Sequence, residues 1–114
     1  MDQLIGIYRL NELLFTRVKV AVAFRSKLRG LMFYREMPAI DGLLLYPCQM
    51  VHLFWMRFPL DLVYLDRDKT VVLIETKYPN QVGAFVKNAY YVLEITAGAG
   101  KAKNIRAGDR FDWK

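Results

Sequence analysis

At 114 residues, with 54% hydrophobic and 14% aromatic side chains against 25% charged, the chain has the length and composition of one globular domain spanning 1–114 and falls outside the disordered class. A single cysteine excludes an internal disulfide and suits a reducing compartment, and no run approaches the roughly 20 consecutive apolar residues of a membrane-spanning helix. The net charge of +6 and the isoelectric point near 9.6 are compatible with nucleic acid or anionic lipid as partner, but the spread of Lys and Arg along the chain argues against it.

Met1-Asp2-Gln3 lacks a basic leader, and Arg9, Asn11 and Glu12 interrupt the apolar stretch that a signal peptide needs. The expected location of a complete chain is therefore cytoplasmic, with removal of an N-terminal export signal as the alternative. Residues 4–9 read as a short strand. Positions 14–24 alternate, Leu14, Thr16, Val18, Val20, Val22 and Phe24 on one side and Phe15, Arg17, Lys19, Ala21 and Ala23 on the other, which predicts a half-buried strand hairpinned to the first through Asn11-Glu12. Ser26 is placed to cap a short helix over 27–33. The stretch Met37-Pro38-Ala39-Ile40-Asp41-Gly42 is a loop, because proline and Asp-Gly both punctuate regular structure.

Strands are predicted next over 43–46 and 50–57, the latter ended where Pro59 removes a ladder donor. Runs 60–65 and 71–75 form a hairpin around Asp66-Arg67-Asp68-Lys69-Thr70. Residues 78–88 make the one long connection, and 90–96 another strand, with Glu94 in otherwise apolar company. Residues 97–104 suit a loop with a helical turn, Ala107-Gly108-Asp109 a turn, and 110–113 a closing strand. Val18, Val20, Val22, Leu62, Val63, Leu93 and Ile95 are expected to share the core. The fold class is mainly β: a small barrel-like or strongly curved antiparallel or mixed sheet with one or two short helices.

Cys48, His52 and Met56 recur at a four-residue spacing and include the only cysteine and the only histidine. On a strand, 48, 50, 52, 54 and 56 share one face, so thiol, thioether and imidazole lie on one side and offer the soft donors that select Cu(I) or Zn(II). The same geometry argues against a shared ion. Residues two apart on a strand are about 7 Å from each other and residues four apart about 13 Å, too far for one metal or for a thiol and its histidine base without a sharp bend. Ordinary packing of Cys and Met, with a hydrogen-bonded His, is the favoured reading, and no metal or other cofactor is expected. Arg29, Asp61 and Glu94 are further site candidates. Arg57 with Asp61, and Arg29 with Glu94, read equally as structural ion pairs or turn caps. The aromatics Phe54, Trp55, Phe58, Tyr64, Tyr90 and Tyr91 are numerous for so small a domain, and any left exposed beside Arg57 mark a contact surface. Lys101, Lys103, Arg106, Arg110 and Lys114 form the densest cationic cluster, which solvated surface charge explains better than nucleic acid.

Five motifs in order carry a resemblance: Arg29-Gly30-Leu31-Met32-Phe33; Gly42-Leu43-Leu44; the run from Phe54-Trp55-Met56-Arg57-Phe58-Pro59 to Leu65-Asp66; Ala89-Tyr90-Tyr91-Val92-Leu93-Glu94; and Gly108-Asp109. Together they resemble the small bacterial and archaeal proteins grouped as domain of unknown function 192, over nearly all of the chain beyond about residue 14. The resemblance implies a mainly β, barrel-like domain with short helices and an unassigned activity. Two departures stand out: Tyr34-Arg35 follows the Gly-Leu-Met-Phe motif where members often carry arginine or lysine directly, and 79–86 is unlike the longer proline-rich connection expected there. The function expected is a non-catalytic binding or assembly module presenting a β surface to a protein or small ligand. Alternatives are an enzyme or soft-metal protein using Cys48, His52 and Met56, and a weak nucleic-acid binder using the basic C-terminal segment.

Overall fold

The computed structural model describes residues 4–21, 31 and 34–114. Arg29, the predicted helix over 27–33 apart from Leu31, and positions 22–24 of the second predicted strand lie outside the described residues. Among the described residues, seven strands, β1 (Leu4–Arg9), β2 (Glu12–Ala21), β3 (Gly42–Leu45), β4 (Leu60–Leu65), β5 (Val71–Lys77), β6 (Tyr91–Thr96) and β7 (Phe111–Trp113), and one short helix, α1 (Ala99–Ala102), follow one another in that order except that α1 stands between β6 and β7. They form one mixed sheet in the order β5-β4-β6-β3-β2-β1-β7, in which β2 and β3 are parallel and every other pair antiparallel.

The sheet curls without closing into a barrel. Its two ends approach through a bridge between Thr70 and Arg110, where Val71 N donates to Asp109 O at 2.7 Å and Phe111 N to Lys69 O at 2.9 Å. Residues from opposite ends of the sheet therefore meet on its concave side: Val71 of β5 and Phe111 of β7 pack in one cluster with Ile7, Val18, Leu44, Val63, Leu93 and Ile95. The convex side carries a second cluster of Leu43, Leu45, Leu60, Leu62, Tyr64 and Val92, roofed by Leu31, Leu53, Met56 and Ala89 from loops. Both faces of β4 are thus buried, which explains why all six of its residues are. The expected common core accordingly divides: Val18, Val63, Leu93 and Ile95 lie in the concave cluster with Val20 packed partly buried against it, Leu62 belongs to the convex one, and Val22 lies outside the described residues.

Close strand approach depends on Gly42. A Cβ there would sit 2.9 Å from the Glu94 carbonyl oxygen and 2.9 Å from Ile95 Cγ2, inside contact distance, so β3 reaches β6 only without a side chain.

Candidate functional site

Strand register sets one row of side chains across the convex face. Leu4 pairs with Lys19, Lys19 with Leu43, Leu43 with Glu94, Glu94 with Leu62, and Leu62 with Glu75. Alternation then places all six on the same side of the sheet. Glu94 sits in the middle of this row with hydrocarbon to left and right. It is 6% exposed, no hydrogen bond or ion pair joins it to another described residue, and burial pushes its carboxyl up to about 8.

Glu75 is held quite differently. Its Oε2 accepts the Ala84 N–H at 2.7 Å and lies 2.8 Å from the Tyr64 hydroxyl, which is also 3.0 Å from the Ala84 carbonyl oxygen, so the single phenolic proton is shared between two acceptors. Burial, and next the bond to Glu75, raise the Tyr64 pKa far above its ordinary value, with smaller contributions from the charges of Cys48 and Glu94. Tyr64 is a neutral phenol at any physiological pH. Its role is to clamp the 82–84 segment to the sheet.

That segment is half of a ribbon. His52 and Val82 form an antiparallel bridge, flanked by bonds from Leu53 N to Gln81 O, Asn80 N to Leu53 O, Gly83 N to Val51 O and Val86 N to Gln49 O. The predicted strand over 50–57 is therefore replaced by one side of an irregular two-stranded ribbon lying on the convex face, its partner supplied by the long connection 78–88. Val51 and Leu53 turn inward to the convex cluster, whereas Met50, His52, Phe54 and Val82 are exposed. The His52 ring stacks on Phe54 with centroids 4.5 Å apart, and its Nδ1 accepts the Phe54 N–H at 3.3 Å.

The expectation that Cys48, His52 and Met56 share one side does not hold. A turn in which Met56 N donates to Leu53 O at 3.2 Å, with Trp55 in the left-handed region at φ 67°, reverses the chain and sends Met56 into the core at 7% exposure while His52 stays outside. Cys48 is partly buried in the wall of an open cleft of about 760 Å³ between 47–49, 66–68 and 87–90, and its Sγ donates to the Met50 carbonyl oxygen at 3.3 Å. Arg67 lies over the Tyr90 ring in the same cleft, 4.3 Å from the centroid. Among the described residues no group of three or more His, Cys, Asp and Glu side chains converges as a metal site would require.

Arg57 is exposed, and Asp61 takes other partners. Oδ1 of Asp61 accepts the Thr76 hydroxyl at 2.6 Å, and Oδ2 accepts the N–H groups of Gly98 and Gly100, both at 3.0 Å, so this buried carboxylate organises the entry to α1. Gly100 lets that turn approach: a Cβ there would meet Ile74 Cδ1 at 2.5 Å. The basic C-terminal residues Lys101, Lys103, Arg106, Arg110 and Lys114 are all exposed, and Arg106 donates twice to the Asn104 side-chain oxygen. Sequence reading missed Tyr64 and Glu75 as a pair. A tyrosine inside the run Leu-Asp-Leu-Val-Tyr-Leu was the available signal, since a phenol in a strand buried on both faces needs an acceptor.

These features define a class: a curled seven-stranded mixed sheet whose convex face carries a row with buried acid and is roofed by an irregular ribbon. Within that class the chain belongs to the family of domain of unknown function 192, described as an uncharacterised ACR, whose model matches residues 9–113. It is 29% identical over 100 residues to a UPF0127 protein of Pyrococcus abyssi, covering 85% of this chain and 86% of that one. It is likewise 29% identical over 105 residues to a UPF0127 protein of Thermococcus sibiricus, covering 86% of this chain but 66% of the relative. Two solved structures share the fold: a protein of unknown function from Novosphingobium aromaticivorans, with a TM-score of 0.79 at 22% identity over 98% of this chain and 85% of that one, and a candidate transcription regulator from Sinorhizobium meliloti, with a TM-score of 0.74 at 24% identity over 99% and 94%.

Proposed function

We propose that this domain is a non-catalytic binding module and that the outward side of the ribbon is its contact surface. One observation carries the reading. Met50 (48% exposed), Phe54 (42%), Trp55 (63%), Tyr78 (55%) and Val82 (46%) crowd onto one two-stranded segment beside His52, while the same segment is anchored from beneath by Leu53, Met56 and Gly83. Single exposed apolar residues are ordinary, but several large ones gathered on a firmly seated element mark an interaction site.

Catalysis has less support. The Cys48 thiol is engaged with the Met50 carbonyl and the His52 imidazole with Phe54, so neither is arranged to activate the other. Glu94 is a buried acid with an unusual protonation range, yet its neighbours in the row, Leu43 and Leu62, give it nothing to exchange a proton with. A photoreactive amino acid placed at position 82 tests the surface in cells. It is expected to yield a cross-linked product of higher mass, protein or lipid, that the same group at exposed Lys101 does not. Equal labelling at both positions, or none at either, would remove the ribbon as the contact surface.

A further inference from the structure

The charge pattern around the ribbon goes further than its apolarity. No Asp or Glu occurs at positions 42–60 or 76–93, the two stretches that supply the ribbon and its flanks, although acids are scattered elsewhere in the chain. On the sheet beneath the ribbon, Glu75 faces Tyr64 and the Ala84 N–H. Cations stand at both ends of the ribbon, and at one of them Lys87 shares its cleft with Arg67 and with the carboxylates of Asp66 and Asp68. Arg57 follows the turn that exposes Trp55, and Lys87 lies at the opposite end, where Gln49 Nε2 donates to its carbonyl at 2.6 Å; both side chains are exposed.

Shape selects among anionic partners. Small-molecule sites are concave, and a peptide needs a groove or an open strand edge, whereas the exposed apolar residues of this ribbon lie on the convex side of a curled sheet and none of them lines the cleft beside Cys48. Its outward residues mix aliphatic Met50 and Val82 with Phe54, Trp55 and Tyr78. Nucleobase stacking uses flat rings and does not call for the aliphatic members. Tryptophan and tyrosine at the border between apolar and wet surroundings, with lysine and arginine beside them, are the composition that enters the headgroup boundary of a bilayer.

We propose that the ribbon docks on an anionic lipid surface, with Phe54, Trp55 and Met50 entering the interface and Arg57 and Lys87 meeting the headgroups. This rests on the ribbon being the contact surface. The test is co-sedimentation of the full chain with vesicles of phosphatidylcholine alone or of phosphatidylcholine and phosphatidylglycerol in equal parts, together with Trp55 fluorescence in a Trp113→Phe background. Binding to the anionic vesicles is expected, with a blue shift of Trp55, and at least about tenfold weaker binding to phosphatidylcholine. Met50→Ser with Phe54→Ser, and separately Lys87→Glu, should each weaken anionic binding by roughly tenfold while circular dichroism stays unchanged, because these side chains are exposed. Absence of anionic binding, equal binding of the variants, or binding of single-stranded oligothymidylate in place of vesicles would overturn the proposal. A protein cross-linked at position 82 in cells, together with failure on vesicles, would discard the lipid and keep the ribbon.

Discussion

Glu94 has Leu43 of β3 on one side and Leu62 of β4 on the other, and it is the charged residue that the convex face holds at 6% exposure. Burial favours its neutral form, moving the carboxyl from an ordinary value of 4.5 up to about 8. Between those two values the folded chain keeps a proton that the unfolded chain has lost, so stability falls as pH rises through this window. The loss is on the order of a few kcal/mol at most. Melting followed from pH 4.5 to 8.5 should show a declining midpoint, and Glu94→Gln should flatten the decline and stabilise the chain above pH 8. A wild-type midpoint that rises over this range would mean that the carboxylate is charged and satisfied. Asp41 and Asp112 do not confuse the measurement. Both carboxyls are held below the ordinary range, Asp41 by bonds from Thr16 and Arg17 against an opposing desolvation, Asp112 by the Trp113 N–H and Lys69, so their contributions are lost only on stronger acidification. The oddity of Glu94 was visible in the sequence as one acid in an apolar run. The misplaced trio of Cys48, His52 and Met56 shows the opposite: equal spacing fixes a common side only while the backbone stays extended, and a left-handed Trp55 ended that before Met56.

The ribbon is seated through Gly83. A Cβ at that position would meet the Tyr64 hydroxyl oxygen at 2.6 Å, Leu62 Cδ1 at 2.9 Å and the Val51 carbonyl oxygen at 3.0 Å. Tyr64 and Leu62 belong to a strand buried on both faces, so neither has room to retreat, and the ribbon must lift instead. Gly83→Ala is expected to cost about 1–3 kcal/mol and to speed hydrogen exchange at the amides of Leu53, Gly83 and Val86, which bond across the ribbon. An unchanged denaturation midpoint with unchanged exchange would show that the ribbon has slack. Strands β4, β5 and β6 were legible because long apolar or β-branched runs bounded by turn residues leave few alternatives. The segment 50–57 was not, because alternation describes one strand and says nothing about what pairs with it. Its partner was the connection 78–88, where Pro79, Asn80 and Gly83 read as loop residues and are loop residues, except for the one bridge at Val82.

Across the whole molecule, the strand order and the parallel pairing of β2 with β3 were beyond reach of the sequence, since alternation and capping describe single elements and do not say which strands pair. Strong curvature was expected, and it is supported by a side chain that the sequence marked only as an interruption of an apolar stretch. Arg9, at the end of β1, donates through Nη1 to Asn104 O at 3.0 Å and to Asp109 Oδ2 at 2.9 Å, and through Nη2 to Lys103 O at 2.9 Å and Glu12 Oε1 at 3.0 Å. Asp109 in turn accepts the Val71 N–H with its carbonyl, so one guanidinium fixes the segment that carries the sheet from β1 round to β5. With 17% of the side chain exposed and two acceptors that are uncharged carbonyls, this is a hydrogen-bonded fork more than a salt-screened surface pair. Arg9→Ala should cost about 1–3 kcal/mol, and Arg9→Lys should recover little of it, because a single ammonium cannot span carbonyls and carboxylates set for a planar fork. The loss should be local in its dynamics. Hydrogen exchange is expected to quicken at Val71, Gly108 and Phe111, the amides that join the two ends of the sheet, and to change least at the centres of β4 and β6. Uniform acceleration across all strands would show that Arg9 supports global stability without any particular hold on the curl, and full recovery by lysine would reduce its part to charge alone.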